Sequence, residues 1–180
     1  MQVTQPIRDT ELIEQIQLML KEQSMRDFLI FSIGIHCGLH LNDLLLLKVK
    51  DLRSKNQVTI KEKRTGKNKS FLISHQMMDW IRSYAENKAD EDYLFPSQRT
   101  GLPIKRSRVY RILNDIGKQL GINDIGTHTM RKTFGYHYYL KTKNISVLRE
   151  LFNHSAPCVT IKYIGLDHEY KKIQKRGTHE

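Results

Sequence analysis

No uninterrupted apolar run in this 180-residue chain approaches the roughly 20 residues that a helix needs to cross a bilayer. Its polar N-terminus does not read as a signal peptide, so membrane and secreted classes fall away. Only 10 Gly and 4 Pro argue against a disordered or fibrous chain. Cys37 and Cys158 are too few for a disulfide framework and fit free buried thiols in a reducing cytosol, so the expected location is cytoplasmic. Acidic side chains are also scarce, 19 against 30 Lys and Arg, which leaves a net charge of +11 and points to a polyanionic partner.

That excess is unevenly spread. Residues 1–60 carry 7 basic and 7 acidic side chains, residues 61–120 carry 13 and 7, and residues 121–180 carry 10 and 5. A neutral opening followed by a basic remainder suits a core element feeding a nucleic-acid-facing surface, although a ribosomal, RNA-binding or acidic-membrane role has the same bias. The length fits one domain.

Periodicity supplies the elements. Leu12, Ile16 and Leu20 recur at helical spacing behind Thr10 as a cap, and Ser24 and Asp27 open a second apolar helix that Gly38 ends. A short helix near Leu41 carries Leu44, Leu45 and Leu47, and at Lys48 the period changes to two. Val58 and Ile60, then Phe71 and Ile73, alternate around a Thr65-Gly66 turn, giving a basic β-hairpin. Helices are then expected at 74–86, behind a Ser107 cap as far as Gly121, at 130–140, at 146–152, and from Thr160 toward Lys175. Pro96 and Pro103 bracket a loop between the first two. The fold class is α+β, a mostly helical single domain with a small antiparallel sheet.

The chemistry-bearing groups stand in the last third. His128 is followed by Arg131, then by His154 at 23 residues beyond that arginine and Tyr163 at 9 beyond that histidine. A guanidinium clamps non-bridging phosphate oxygens, imidazoles hydrogen-bond or move protons, and a phenol can attack phosphorus to form a covalent intermediate. Allowing latitude in spacing, chance produces such a set on the order of a few times in a hundred.

These residues, with Cys37-Gly38-Leu39-His40-Leu41-Asn42-Asp43-Leu44, the basic hairpin, Leu94-Phe95-Pro96 and Asn153-His154-Ser155, make the chain resemble the catalytic domain of tyrosine recombinases, the phage-integrase family. The resemblance covers almost the whole chain. It implies a site-specific recombinase or integrase that cleaves and rejoins double-stranded DNA through a 3′-phosphotyrosyl bond, with no metal and no cofactor. Position by position, it makes Tyr163 the nucleophile, Arg131 and His128 the groups that bind and polarise the phosphate, and His154 a second phosphate-contacting imidazole.

Two positions depart from the family pattern. His40 stands where the family has its first arginine, and Arg64 where a hairpin lysine protonates the leaving 5′ oxygen. Imidazole lacks the permanent charge and planar fork of arginine, and arginine does not give up its proton, so Lys63 or Lys67 beside the turn would have to act. Asp43, three residues on, is positioned to favour an imidazolium at His40, in which case cleavage rises as pH falls from about 8 to 6. The same departures fit a DNA-binding regulator on this fold whose cutting chemistry has decayed.

Lys63, Lys67, Lys69, Arg106, Arg108 and Arg111 are the expected phosphate contacts. Such recombinases often dock the segment after the tyrosine on a neighbouring subunit, which makes a homo-oligomer on DNA an expectation here, with Lys171, Lys172, Lys175 and Arg176 in that segment. The chain begins almost at the catalytic part, so the reading is one catalytic-type domain over 1–180 with no N-terminal core-binding domain. His36, Cys37, His154 and Cys158 lack the paired spacing of a zinc site and read as packing, as does the aromatic run Tyr136, His137, Tyr138 and Tyr139.

Overall fold

The computed structural model describes residues 4–53, 55–122 and 125–167, and within them the chain is mostly helical with one two-stranded sheet. Helix α1 spans Thr10–Gln23; its cap is Asp9, whose carboxylate accepts from Glu11 N, so Thr10 lies inside the helix rather than before it. Helix α2 spans Met25–Cys37 behind a Ser24 cap and is buried continuously from Phe28 to Gly34. A helix apolar all round belongs at the centre, and α2 packs against α1, against α5 (His75–Tyr84) and against α7 (Thr127–Thr142). Gly38 ends α2 at φ 62, where a Cβ would meet the Phe134 ring at 2.3 Å, so both backbone and packing require glycine.

After α3 (Leu41–Leu45) the chain makes another short helix, α4 (Val49–Leu52), where the sequence had suggested a change of period at Lys48. Asp51 accepts from Lys48 N and closes that turn, while Leu47, Val49 and Leu52 go to the core. The period of two begins later. Strands β1 (Gln57–Lys61) and β2 (Asn68–Leu72) pair antiparallel with Ile60 opposite Lys69, and Gly66 at φ 69 makes the turn.

Pro96 and Pro103 form a bridge that closes the following loop. Helix α6 (Arg106–Gln119) starts two residues earlier than a Ser107 cap suggests, capped by Lys105 without a side-chain bond. Helix α8 (Ile145–Phe152) ends at Asn153 in the left-handed region, and α9 (Pro157–Tyr163) begins on its proline. Tyr170 and the basic residues from Lys171 to Arg176 fall outside the described residues.

The described residues form two cores. The larger gathers α1 to α6 with Met130 of α7, and the smaller gathers Leu148, Phe152, Ile161, Ile164 and Leu166 with Phe134 and Tyr163. Helix α7 serves both, so its N-terminal half sits where the two cores meet. The aromatic run on α7 is half-buried and packs on the smaller core. Cys37 is buried, and burial pushes its thiol up to about 12; Cys158, expected to be buried, is exposed. Among the described residues no helix is long and apolar enough to cross a membrane.

Candidate active site

Arg131 organises the site. It is 8% exposed; its Nη1 donates to Gly38 O at 2.7 Å and its Nη2 to Leu151 O at 3.3 Å, which ties the ends of α2 and α8 to α7. The guanidinium carbon also lies 4.6 Å from the Phe152 ring centre. Burial lowers its proton affinity, but an arginine keeps its charge. Helix geometry does the rest: His128 and Arg131 are three apart on the first turns of α7 and share a face.

Tyr163 and His154 come to the same place from the end of α9 and the turn after α8. Their ring centres are 5.1 Å apart, and each packs edge-on to Phe152. Burial pushes the Tyr163 phenol up, while the Arg131 charge and a hydrogen bond from Arg131 pull it back. His154 Nδ1 pairs with the buried Thr160 hydroxyl at 3.0 Å, which leaves Nε2 as the ring's other polar atom. Burial and the Arg131 charge lower the His154 pKa.

His40 and His128 form the other side of the site, with ring centres 6.1 Å apart. Arg106 Nη2 is 3.1 Å from His128 Nε2, and because a guanidinium only donates, that nitrogen is the acceptor and the ring is neutral there. His40 caps α3, its Nδ1 accepting from Asn42 N at 3.4 Å. Its pKa is lowered, first by burial and then by Arg131, and Asp43 does not reverse this. The imidazolium held by Asp43 that the sequence suggested is therefore not the resting state; the Asp43 carboxylate instead accepts from Lys63 N and pins the hairpin turn.

The six catalytic candidates are thus drawn together unequally. The charge of Arg131 acts on His40, His128, His154 and Tyr163, whereas Arg64 is exposed on the hairpin turn and reaches the others through its charge on Glu62 and Arg131. Of the expected phosphate contacts, Lys63 and Lys67 are exposed on that turn and Arg106 borders His128. Arg108 and Arg111 line a cleft with Arg26, Arg99 and Lys105, a cationic group of which sequence reasoning had noted only two.

Lys69 is the exception. It is 9% exposed and its Nζ donates to Glu150 O at 2.9 Å, so it faces inward rather than out to a duplex. The signal was available, since Lys69 shares the inward face of β2 with Phe71, in step with Ile73 just beyond the strand. Beside it Glu62 is buried at 3% exposure and bonds Thr65 Oγ1 and Asn153 Nδ2. Burial raises the Glu62 pKa, but the Thr65 bond and the charges of Lys69, Arg131 and Arg64 bring it below the ordinary carboxylate value.

Three imidazoles with lowered pKa values have a consequence for stability. Each binds its proton less readily folded than unfolded, so below about pH 6.5 the unfolded chain takes up protons the folded chain refuses. Stability is present above that pH and is lost as pH falls through the folded values. The melting temperature should drop between pH 7.5 and 5.5, and His154→Asn should shrink the drop; a melting temperature that climbs on acidification would contradict the assignment.

The model of the phage integrase family matches residues 8–169. The chain is 40% identical over 169 residues to a "Probable integrase/recombinase YoeC" of Bacillus subtilis, covering 94% of this chain and 93% of that protein. It is 33% identical over 164 residues to a "Tyrosine recombinase" of Pseudothermotoga lettingae, covering 88% of this chain but 56% of that one. Among solved structures, XerH site-specific recombinase bound to a palindromic difH substrate in a post-cleavage complex superposes with TM-score 0.76 at 20% identity, over 97% of this chain and 53% of that one. A crystal structure of XerA recombinase gives TM-score 0.74 at 20% identity, over 100% of this chain and 66% of that one. At that identity the two structures speak to the fold alone.

Proposed function

The chain belongs to the phage integrase family, and from that membership we propose that it breaks and rejoins double-stranded DNA with Tyr163 as nucleophile. The observation that carries the reading is the convergence of Tyr163 and His154, ring centres 5.1 Å apart and both edge-on to Phe152, on a buried Arg131 whose charge favours the ionised phenol. In the reaction the Tyr163 oxygen attacks phosphorus, the bond to the 5′ oxygen breaks, and the ester is stored on the enzyme until a 5′ hydroxyl reverses the step. Arg131 and His128 offer donors to the phosphate oxygens, with Arg106 adding a charge beside them. His154, whose pKa burial lowers and whose ring centre lies 5.1 Å from that of the phenol, is the imidazole placed nearest to accept its proton.

The leaving oxygen needs a proton. Arg64 does not supply one, and Lys63 and Lys67 are solvated. Lys69 is buried and spends its ammonium on Glu150 O, facing away from a duplex, so the proton has to come from Lys63 or Lys67 beside the turn. In this reading His40 and Arg64 attenuate cleavage without removing its core.

A second reading keeps DNA binding and drops the chemistry, and it draws on the neutral state of His40 and the exposure of Arg64. The two part on a nicked duplex that traps the intermediate: the enzyme becomes covalently attached to DNA, and a regulator does not.

Either way the surface charge makes a testable demand. Duplex affinity should fall steeply with salt, with a log-log slope of about −0.9 for each phosphate neutralised. Arg108→Ala and Arg111→Ala should each reduce that slope by about one, while the inward-facing Lys69→Met should leave it unchanged. Mobility-shift titrations between low and moderate salt decide this, and a slope near zero refutes a phosphate-driven surface.

A further inference from the structure

Residues 4–8 run as a strap over α7. Lys132 Nζ donates to Thr4 O at 2.6 Å, Ile7 N donates to Thr133 Oγ1 at 2.9 Å, and His137 Nε2 donates to Ile7 O at 2.9 Å. The strap's other side meets the turn that follows Tyr163. Arg8 donates to Gly165 O, and a Cβ at Gly165 would stand 3.3 Å from Gln5 and Pro6. The strap is therefore wedged between α7 and the tyrosine's own turn.

Lys132 joins the two. It is only 7% exposed, and its Nζ lies 5.2 Å from the centre of the Tyr163 ring while bonded to the strap. A buried ammonium must use its donors or offset its charge, and here a strap carbonyl does the first and the face of the phenol does the second. Its stem is flexible, so the bond to Thr4 O is what selects the rotamer that covers the ring.

We propose that Lys132 is a positioning residue for Tyr163, and that the N-terminal strap sets the nucleophile's pose by holding Lys132. The proposal rests on Tyr163 being the attacking group. It gives the segment ahead of α1 a route to the active site, since anything that pulls residues 4–8 off α7 frees Lys132 from its acceptor.

The test uses the full chain labelled with 3-fluorotyrosine, the Tyr163 resonance being identified by its loss in Tyr163→Phe. In DNA-free protein, Lys132→Met should shift or broaden the Tyr163 line, and Lys132→Arg should leave it close to wild type. Thr133→Val keeps Lys132 and the buried volume but releases Ile7, and it should move the line in the same direction as Lys132→Met. With a nicked duplex at saturation, Lys132→Met and Thr133→Val should cleave about tenfold more slowly with affinity held within about twofold, and Lys132→Arg should recover most of the rate. An unmoved Tyr163 line in Lys132→Met overturns the proposal. So does a cleavage loss that merely tracks lost affinity, which would make Lys132 a phosphate contact. If the wild type forms no adduct, the nucleophile assignment fails by itself, and the resonance still decides whether Lys132 sets the ring.

Discussion

Tyr163→Phe should form no covalent adduct with a nicked duplex, while its affinity for the same duplex stays within about twofold of wild type. The phenyl ring keeps the packing against Phe152 and His154, and Arg131 keeps its bonds to Gly38 O and Leu151 O. What is lost is the phenol oxygen, the atom that would make the phosphate ester. Denaturing electrophoresis of the trapped reaction reads the first quantity and a mobility shift the second. An adduct that survives in Tyr163→Phe refutes the assignment, and one mapped to Tyr170 moves the nucleophile along the chain without changing the fold.

The second large effect is a gain. His40→Arg should raise single-turnover cleavage by about 10²–10³, because a preorganised donor aimed at developing charge is worth roughly 3–4 kcal/mol in the transition state. The site is built to receive it. Burial and the charge of Arg131 lower the His40 pKa, and its Nδ1 accepts from Asn42 N, so the wild-type ring offers one neutral donor where the family pattern has a permanent cation. In DNA-free protein the added charge stands near Arg131 and Arg106, with Asp43 and Glu62 partly offsetting it, so a small loss of thermal stability should accompany the faster cleavage. Phosphate relieves that repulsion on binding. Because His40 is neutral, wild-type cleavage should not accelerate on its account as pH falls from 8 to 6, and Asp43→Asn should act through the Lys63 hairpin bond instead. No gain from His40→Arg, alone or with Arg64→Lys, favours the regulator reading.

The sequence was most informative where one local rule decides the outcome. Ser24 and Gly38 delimit α2, and Thr65-Gly66 marks the hairpin, because caps and left-handed turns are settled within a few residues. The cap of α1 and the start of α6 differ by one and two residues because Asp9 and Thr10 are adjacent and Lys105 and Ser107 stand two apart, and only the backbone decides between them. Helix α4 was missed because four residues carry too little periodicity to identify a helix.

For the site, spacing brought His128, Arg131, His154 and Tyr163 into one reading, and the fold draws them round Arg131. Lys69 was misread because charge was weighed above its register in β2. Lys132 and the strap were out of reach, since the bond from Lys132 to Thr4 O joins residues 128 apart and rests on a main-chain carbonyl that no residue type announces. His40 shows the same limit: its neighbour Asp43 suggested an imidazolium, but the distant Arg131 and burial set the protonation state.

The central claim is that Tyr163 can carry a DNA strand. It is tested most directly by incubating wild-type protein with a nicked duplex that traps the cleaved strand, digesting the product, and mapping the nucleotide-bearing peptide by mass spectrometry. The expected product is a 3′-phosphotyrosyl linkage on Tyr163, formed without added metal or nucleotide. A duplex bound tightly but never covalently attached, under conditions where His40→Arg also fails to react, would contradict it.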